Sequence, residues 1–442
     1  VPRRVTSVTQ GAGRRRENRA SGTPRAPMAA MNPASTAGLL LALGAAIGAC
    51  APAASPVREA PRADAARRAE AYTGSAGCVR CHSREAELWA GSSHALHGVP
   101  QGEPDGGADM AVGSQWMQAY MRRDETGLHR IAADSLDLAT RSWRPVDDVL
   151  DAIQGPLMPE EHGQRAPRNT SSRSFERDCS GCHSSGPRIG LDPATGRVES
   201  HFRGIELDCE SCHGPGAAHA DAWRRLDPGV PLPRLERMTP RAASAVCARC
   251  HGGPPVAAGY TPDDAEHYVA LPRGVNAVFS TGASAGQNYQ ADTFLRSACH
   301  TEGDLACTGC HEAHGPGLVH REHPDAICTR CHEQEATRAH THHDVTKDGG
   351  RCVNCHMPRL LGGLMVHQRD HRIGSPLPAS EDAPDACTAC HADKDKRWAA
   401  EWAEKWWGPP PAATLAAIRG VHLARSGDME RAVPLLQRAL SH

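Results

Sequence analysis

Cys307-Thr308-Gly309-Cys310-His311-Glu312-Ala313-His314 carries the pattern on which the reading of this chain turns. Two cysteines stand two residues apart, a histidine follows at once, and another histidine comes three residues later. Working outward, Cys-x-x-Cys-His recurs seven more times: Cys78/Cys81/His82, Cys179/Cys182/His183, Cys209/Cys212/His213, Cys247/Cys250/His251, Cys328/Cys331/His332, Cys352/Cys355/His356 and Cys387/Cys390/His391. Sixteen of the 18 cysteines belong to these eight motifs, where this composition would supply about 0.04 by chance. Disulfides need neither the spacing nor the histidine. Structural zinc uses Cys-x-x-Cys knuckles but no obligatory adjacent His. Covalent haem needs all three residues: the two thiols reach the vinyl groups of one porphyrin, and the adjacent imidazole falls beneath the iron as proximal ligand. Eight haems c are expected, one per motif.

The sixth iron ligand is less defined. Of 26 histidines, eight are proximal, leaving 18 for eight irons. Candidates beside motifs in polar, loop-like context are His94, His97, His219, His300, His314, His323, His343 and His371, with His320, His340, His342 and His367 as substitutes. The bland alternative for each is a solvated surface histidine or a propionate partner. Met357 directly follows its own motif and cannot swing to the opposite face. Bis-His ligation lacks the Met that raises potential, so low potentials are expected.

Composition agrees. Aromatic residues make up 4% of 442, too few for an ordinary core, while Gly and Pro favour turns over long elements. Stacked porphyrins would supply the missing apolar surface. The formal charge is −2, but seven of the 49 Lys/Arg and one of the 51 Asp/Glu fall in residues 1–49, leaving 42 basic against 50 acidic. That argues against nucleic acid and fits redox partner proteins with basic docking patches.

The fold expected is a multihaem cytochrome c: short α-helices and loops wrapped around stacked haems, with a small β-hairpin region and a helical tail. Residues 1–50 read as an N-terminal extension and lipoprotein-type signal peptide, the apolar run 38–49 being too short to span a bilayer. Ile47-Gly48-Ala49-Cys50 resembles a lipobox, which makes Cys50 the candidate lipidation site and implies membrane tethering of an exported, periplasmic or cell-surface protein. Residues 51–70 read as a flexible tether and 71–392 as the octahaem domain. Within it, the stretch Ala111–Trp143 lacks Cys, and Asp124-Glu125-Thr126-Gly127 marks a β-hairpin. Residues 393–442 read as helical. Asp393–Trp407 forms one helix, and 412–442 fit one tetratricopeptide-like repeat or any helical hairpin with a Ser-Gly-Asp turn, an element on which a protein partner could bind.

From about Tyr72 onward the residues resemble bacterial multihaem cytochromes that end in tetratricopeptide repeats. The likeness rests on Tyr72-Thr-Gly-Ser-Ala-Gly-Cys78-Val-Arg-Cys-His82 with Trp89-Ala-Gly-Ser-Ser-His94, Cys209-Glu-Ser-Cys-His-Gly-Pro-Gly-Ala-Ala-His219, Ala298-Cys-His300, Cys352-Val-Asn-Cys-His-Met-Pro358 and Asp370-His-Arg-Ile-Gly-Ser-Pro376. The haem core of that family is similar to the tetrahaem cytochrome that serves hydroxylamine oxidoreductase. The resemblance implies stacked haem pairs with mostly bis-His iron, and suggests His219, His300, His314 and His371 as distal ligands. Cys299 departs from the Met expected before the His, leaving a spare thiol near a haem.

Two functions compete, with an assembly or docking protein, whose repeat binds a partner, as a third. One is electron transfer through mostly bis-His haems, favoured by the surplus of histidine and the absence of a Cys-x-x-Cys-Lys motif. The other is a multihaem oxidoreductase acting on a small nitrogen or sulfur compound at one open-faced haem, with Cys299 and His300 the place to look.

Overall fold

The computed structural model describes residues 71–440 apart from 105, 147–172, 228, 253–278, 284–289, 363–365, 377–379 and 381. Cys50, the signal-like run and the tether 51–70 lie outside the described residues.

The expected hairpin is the centre of a four-stranded antiparallel sheet. Strands β1 (Met110–Val112), β2 (Met117–Arg123), β3 (His129–Asp137) and β4 (Ser142–Pro145) lie in the order β1-β2-β3-β4. The β2–β3 turn is built by Asp124, whose Oδ1 accepts from the backbone of Thr126 at 2.9 Å and of Leu128 at 3.0 Å. Gly127 has a φ of 87°, and a Cβ there would collide with the Val198 carbonyl, so glycine is required. A register shift between Ala119 and Met121 bends β2. Its inward residues pack in two small clusters, Ala111, Tyr120 and Leu136 on one side and Val112, Met121 and Phe175 on the other. Gln118 is fully buried with its amide saturated. Its Oε1 accepts from the Gln101 backbone and the Tyr120 hydroxyl, both at 2.6 Å, and its Nε2 donates to Val99 and Gly113 carbonyls at 2.8 and 2.7 Å. Two two-stranded ribbons follow, β5 (Arg188–Leu191) with β6 (Val198–His201), and β7 (Arg359–Gly362) with β8 (Val366–Arg369).

The helices of the motif region are short, and Cys209–His213 and Cys352–His356 each contain one motif and nothing more. Several are capped locally: Asp208 accepts from Ser211 N–H at 2.9 Å, Ser297 from His300 and Thr337 from His340. The longest in the motif region, Pro240–His251, has Thr239 as N-cap, Pro at its first position and an alanine-rich buried face against Ala291. The tail forms Lys396–Trp407, starting at the Asp395 cap rather than at 393, then Ala412–Arg425 and Met429–Leu440, which pack on each other as a helical hairpin.

Apolar packing is unevenly distributed. Among the described residues from Cys307 to His391, only Leu360 and Ala383 are both apolar and buried. Two such residues cannot hold a segment of that length together. Among the described residues, no helix is long and apolar enough to cross a membrane.

Candidate functional site

Each motif closes a single helical turn, which explains its spacing. In Cys307–His311 the His311 N–H donates to the Cys307 carbonyl at 2.9 Å, and the same bond recurs at His82, His332 and His391 at 3.1, 3.0 and 2.9 Å. On a helix, positions i, i+3 and i+4 share one face, so both thiols and the imidazole can project to the same side. A cavity of about 2490 Å³ runs past these faces, lined by cysteines and histidines of six motifs. A pocket for one small ligand measures about 300–1,000 Å³, so this space accommodates several large groups.

The motifs ending in His183 and His391 do not line this cavity, and within the other six Cys81 alone is left out. Cys81 is exposed, as are Cys212, Cys331 and Cys390, of which Cys212 and Cys331 nonetheless line the cavity.

Across the sites, histidines meet in pairs. Ring centroids are 6.5 Å apart for His82 and His219, 6.0 Å for His213 and His314, and 6.3 Å for His251 and His94. They are 6.1 Å apart for His311 and His371, 6.0 Å for His356 and His340, and 6.2 Å for His391 and His343. An ion bonded at about 2 Å to one nitrogen of each ring would hold the centroids roughly 6.3 Å apart. The seventh pair, His183 and His97, is closer, at 4.7 Å with ring nitrogens 2.5 Å apart. Among the described residues no ring faces His332.

The rings are also oriented for ligation. Nδ1 donates to the carbonyl of Pro233 from His213 (2.9 Å), of Val230 from His219 (2.6 Å), of Thr341 from His343 (2.6 Å), of Gly374 from His356 (3.1 Å) and of Arg369 from His371 (2.9 Å). Such a bond leaves Nε2 unprotonated and aims its lone pair into the gap. Burial lowers the pKa of His251 and His371 to about 4 and of His97 to about 3, with nearby histidines adding to the effect. Burial also lowers His94, His183, His311 and His356. All are therefore neutral at pH 7, the form that binds metal.

Two expected distal residues stand elsewhere. His323 is exposed and is not brought opposite a proximal ring; His340, among the substitutes, occupies such a place instead. His300 faces no proximal ring, although its Nδ1 donates to the Leu305 carbonyl at 2.8 Å like those of the paired rings. Its neighbour Cys299 is within electrostatic reach of Cys331 and Cys310. His342 stacks on Trp406 at 4.4 Å, His320 is exposed, and the His367 side chain lies outside what is described. A signal missed in the sequence is that histidines three residues apart serve neighbouring sites. His94 and His97 face His251 and His183, His340 and His343 face His356 and His391, and His314 follows His311 but faces His213.

The motifs contact one another in a definite order. Naming each site by its motif histidine, the His82 and His213 sites meet where Cys209 Sγ approaches Ser75 Oγ at 3.5 Å. The His183 site meets His213 through Ser185 and Ser211 hydroxyls at 3.1 Å, and His251 through Cys182 Sγ and the Arg249 carbonyl at 3.7 Å. Cys307 N–H donates to Ser244 Oγ at 3.3 Å, joining His251 to His311. Arg330 donates to the Gly309 carbonyl at 3.0 Å, and Arg351 pairs with Asp325 at 2.6 Å, extending the series to His332 and His356. Cys355 feels the Cys390 thiol, which brings in His391. The His183 site thus adjoins both the His213 and the His251 sites, and a linear series leaves His251.

The residues fit covalent haem. Beyond the paired rings and the thin apolar core, Arg249 lines the cavity with its Nε buried and without a hydrogen-bond partner, as a donor awaiting a carboxylate would be.

A sequence profile of the cytochrome c552 family matches residues 333–405, which contain the Cys352 and Cys387 motifs. No curated protein sequence matches the chain. Among solved structures, the chain is similar to the outer cell wall cytochrome OcwA at 18% identity and a TM-score of 0.53, over 84% of this chain and 99% of that one. An undecahaem cytochrome from the S-layer of Carboxydothermus ferrireducens aligns over 84% of this chain and 68% of that one, at 17% identity and a TM-score of 0.38, too low to bear on the fold. The chain thus shares its fold with a solved cytochrome, and its residues 333–405 are similar to the cytochrome c552 family.

Proposed function

We propose that this protein is an exported electron carrier holding eight haems c, each on one Cys-x-x-Cys-His motif and most with two imidazole ligands. One observation carries the reading: seven of the eight motif histidines face a second imidazole, six of them at 6.0–6.5 Å. Haem supplies one-electron exchange between ferric and ferrous iron when bound. The chain's own residues do the rest. The cysteines would anchor each group, and the facing rings of the seven pairs would hold its iron from both sides. The order of contacts keeps successive sites adjacent from His251 to His391. Electron paramagnetic resonance of the intact holoprotein tests this, with low-spin iron expected at seven sites or all eight. High-spin signals from three or more would overturn it.

His332 favours one specific second reading. With no ring opposite it, its haem is the candidate open face for an oxidoreductase acting on a small nitrogen or sulfur compound. We assign His300 to that face, because its Nδ1 is tied as in the paired rings and Cys299 neighbours Cys331. His300→Ala is expected to add one high-spin haem without losing attachment; an unchanged spectrum would leave the face open and favour catalysis.

Export and tethering through Cys50 accord with the lipobox-like run and with a fold neighbour named for the outer cell wall. Cys50→Ala is expected to move the cytochrome from the membrane to the soluble fraction; wild type already found there would refute tethering. The net acidic chain fits basic redox partner proteins, and the helical tail offers a place for one to bind.

A further inference from the structure

Arg249 is one of the two spacer residues of Cys247-Ala248-Arg249-Cys250-His251. Its Nη2 donates to the Ser211 carbonyl at 2.7 Å, tying the His251 motif to the His213 motif. Its own carbonyl lies 3.7 Å from Cys182 Sγ of the His183 motif. The guanidinium lies within electrostatic reach of Cys182, Cys212 and Cys250, one thiol from each of these three sites.

Yet among the described residues this cation has no carboxylate partner, only the motif's own Cys250 thiol, which haem attachment would consume. Among the described residues no carboxylate comes within 4.0 Å of Arg249, and its Nε is buried without any hydrogen-bond partner. The nearby acids are committed elsewhere. Asp208 pairs with Arg203 at 2.8 Å and caps Ser211. Glu210 accepts from the backbone of Thr73, Gly74 and Gly216 at 2.9, 2.8 and 2.7 Å. An always-charged guanidinium whose buried Nε goes unpaired is strongly unfavourable, and its planar fork suits a carboxylate. The part of a haem that supplies carboxylates is its propionates.

We propose that Arg249 binds a haem propionate where the His183, His213 and His251 sites meet, and that its positive charge raises the potential of the haem on Cys247 and Cys250. The proposal rests on the haem reading above. A cation held near a haem stabilises the reduced, more negative state over the oxidised one. Three sites meet at this point, so the charge sets whether electrons gather at the junction or pass it.

The test is an anaerobic spectroelectrochemical titration of the full-length holoprotein, wild type against Arg249→Gln and Arg249→Lys. Arg249→Gln is expected to lower the potential of at least one haem by about tenfold in its reduction equilibrium, which is 59 mV for one electron. Arg249→Lys, which keeps the charge, is expected to stay within about threefold of wild type and supplies the answer should the Gln variant fail to assemble. Unchanged potentials in a fully loaded Gln variant would overturn the proposal. So would a Lys variant shifted by tenfold or more, since a role confined to the Ser211 bond would not follow charge. Intact mass of the wild type separates this from the underlying reading, because fewer than eight haem increments would refute the haem count whatever Arg249 does.

Discussion

His340 and His323 make a matched pair of substitutions, since both are exposed or nearly so and only one faces a proximal ring. His340 stands 6.0 Å from His356, nearly parallel to it at an interplanar angle of 8°. Truncation to alanine removes the whole ring, and the nearest other imidazoles of that segment are turned elsewhere: His342 stacks on Trp406 and His343 faces His391. The backbone is left in place, because the Trp407 indole donates to the His340 carbonyl at 3.0 Å, a bond that alanine retains. His340→Ala should therefore convert the haem on Cys352/Cys355, one-eighth of the iron, from low to high spin with all eight still attached. His323→Ala should convert none. Paramagnetic resonance and the visible spectrum read the fraction directly. Added imidazole should restore the low-spin state in the His340 variant by entering the space of the lost ring. A high-spin fraction in the His323 variant, or none in the His340 variant, would refute the pairing of rings as the basis of ligation.

Two other perturbations probe what holds the sites in place. Glu210→Ala would strand three backbone donors, of which those of Thr73 and Gly74 can reach water, so a loss of about 2–4 kcal/mol is expected in denaturant titration; a loss under about 1 kcal/mol would show that the Glu210 bonds are dispensable. Asp382 joins Ser280, Ser380 and Arg425 of the tail helix; burial alone would raise its pKa, but these bonds outweigh burial and depress it. A depressed folded pKa contributes stability above the unfolded value, near 3.8, and loses it as pH falls through the folded one. Limited proteolysis at graded pH should show tail cleavage rising only below about pH 4 in wild type, and already at neutral pH in Asp382→Asn. Equal cleavage of both at neutral pH would remove Asp382 from tail docking.

Legibility followed sequence distance. The motifs could be read because their chemistry is local: Cys, Cys and His at i, i+3 and i+4 share a face of one helical turn. What that face meets is not local: six of the eight motifs line one shared cavity and the other two do not. The β2–β3 hairpin was likewise written in Asp124 and Gly127, and the helical hairpin of the tail in its Ser-Gly-Asp turn. The start of the tail helix moved from 393 to 396 because Asp395, not Asp393, caps Trp398, at 2.8 Å. The flanking strands β1 and β4 were not anticipated, since three and four residues carry too little pattern to register.

The partners across the gaps belong to the tertiary structure. His213 and His314 are about a hundred residues apart in the chain, and His82 and His219 still further. His320-x-x-His323 has the same spacing as His340-x-x-His343, yet the first pair lies on the surface and the second lines two neighbouring sites. No local rule separates them, because a histidine's place opposite a ring depends on which loops pack together. The sequence by itself determined that eight attachment motifs are present and where each would anchor its group, through covalent chemistry confined to five residues. Only the folded chain decided which ring stands opposite which, and that, among the described residues, His332 faces no ring and Arg249 meets no carboxylate beside the His183 and His213 sites, because each depends on contacts between segments far apart in sequence.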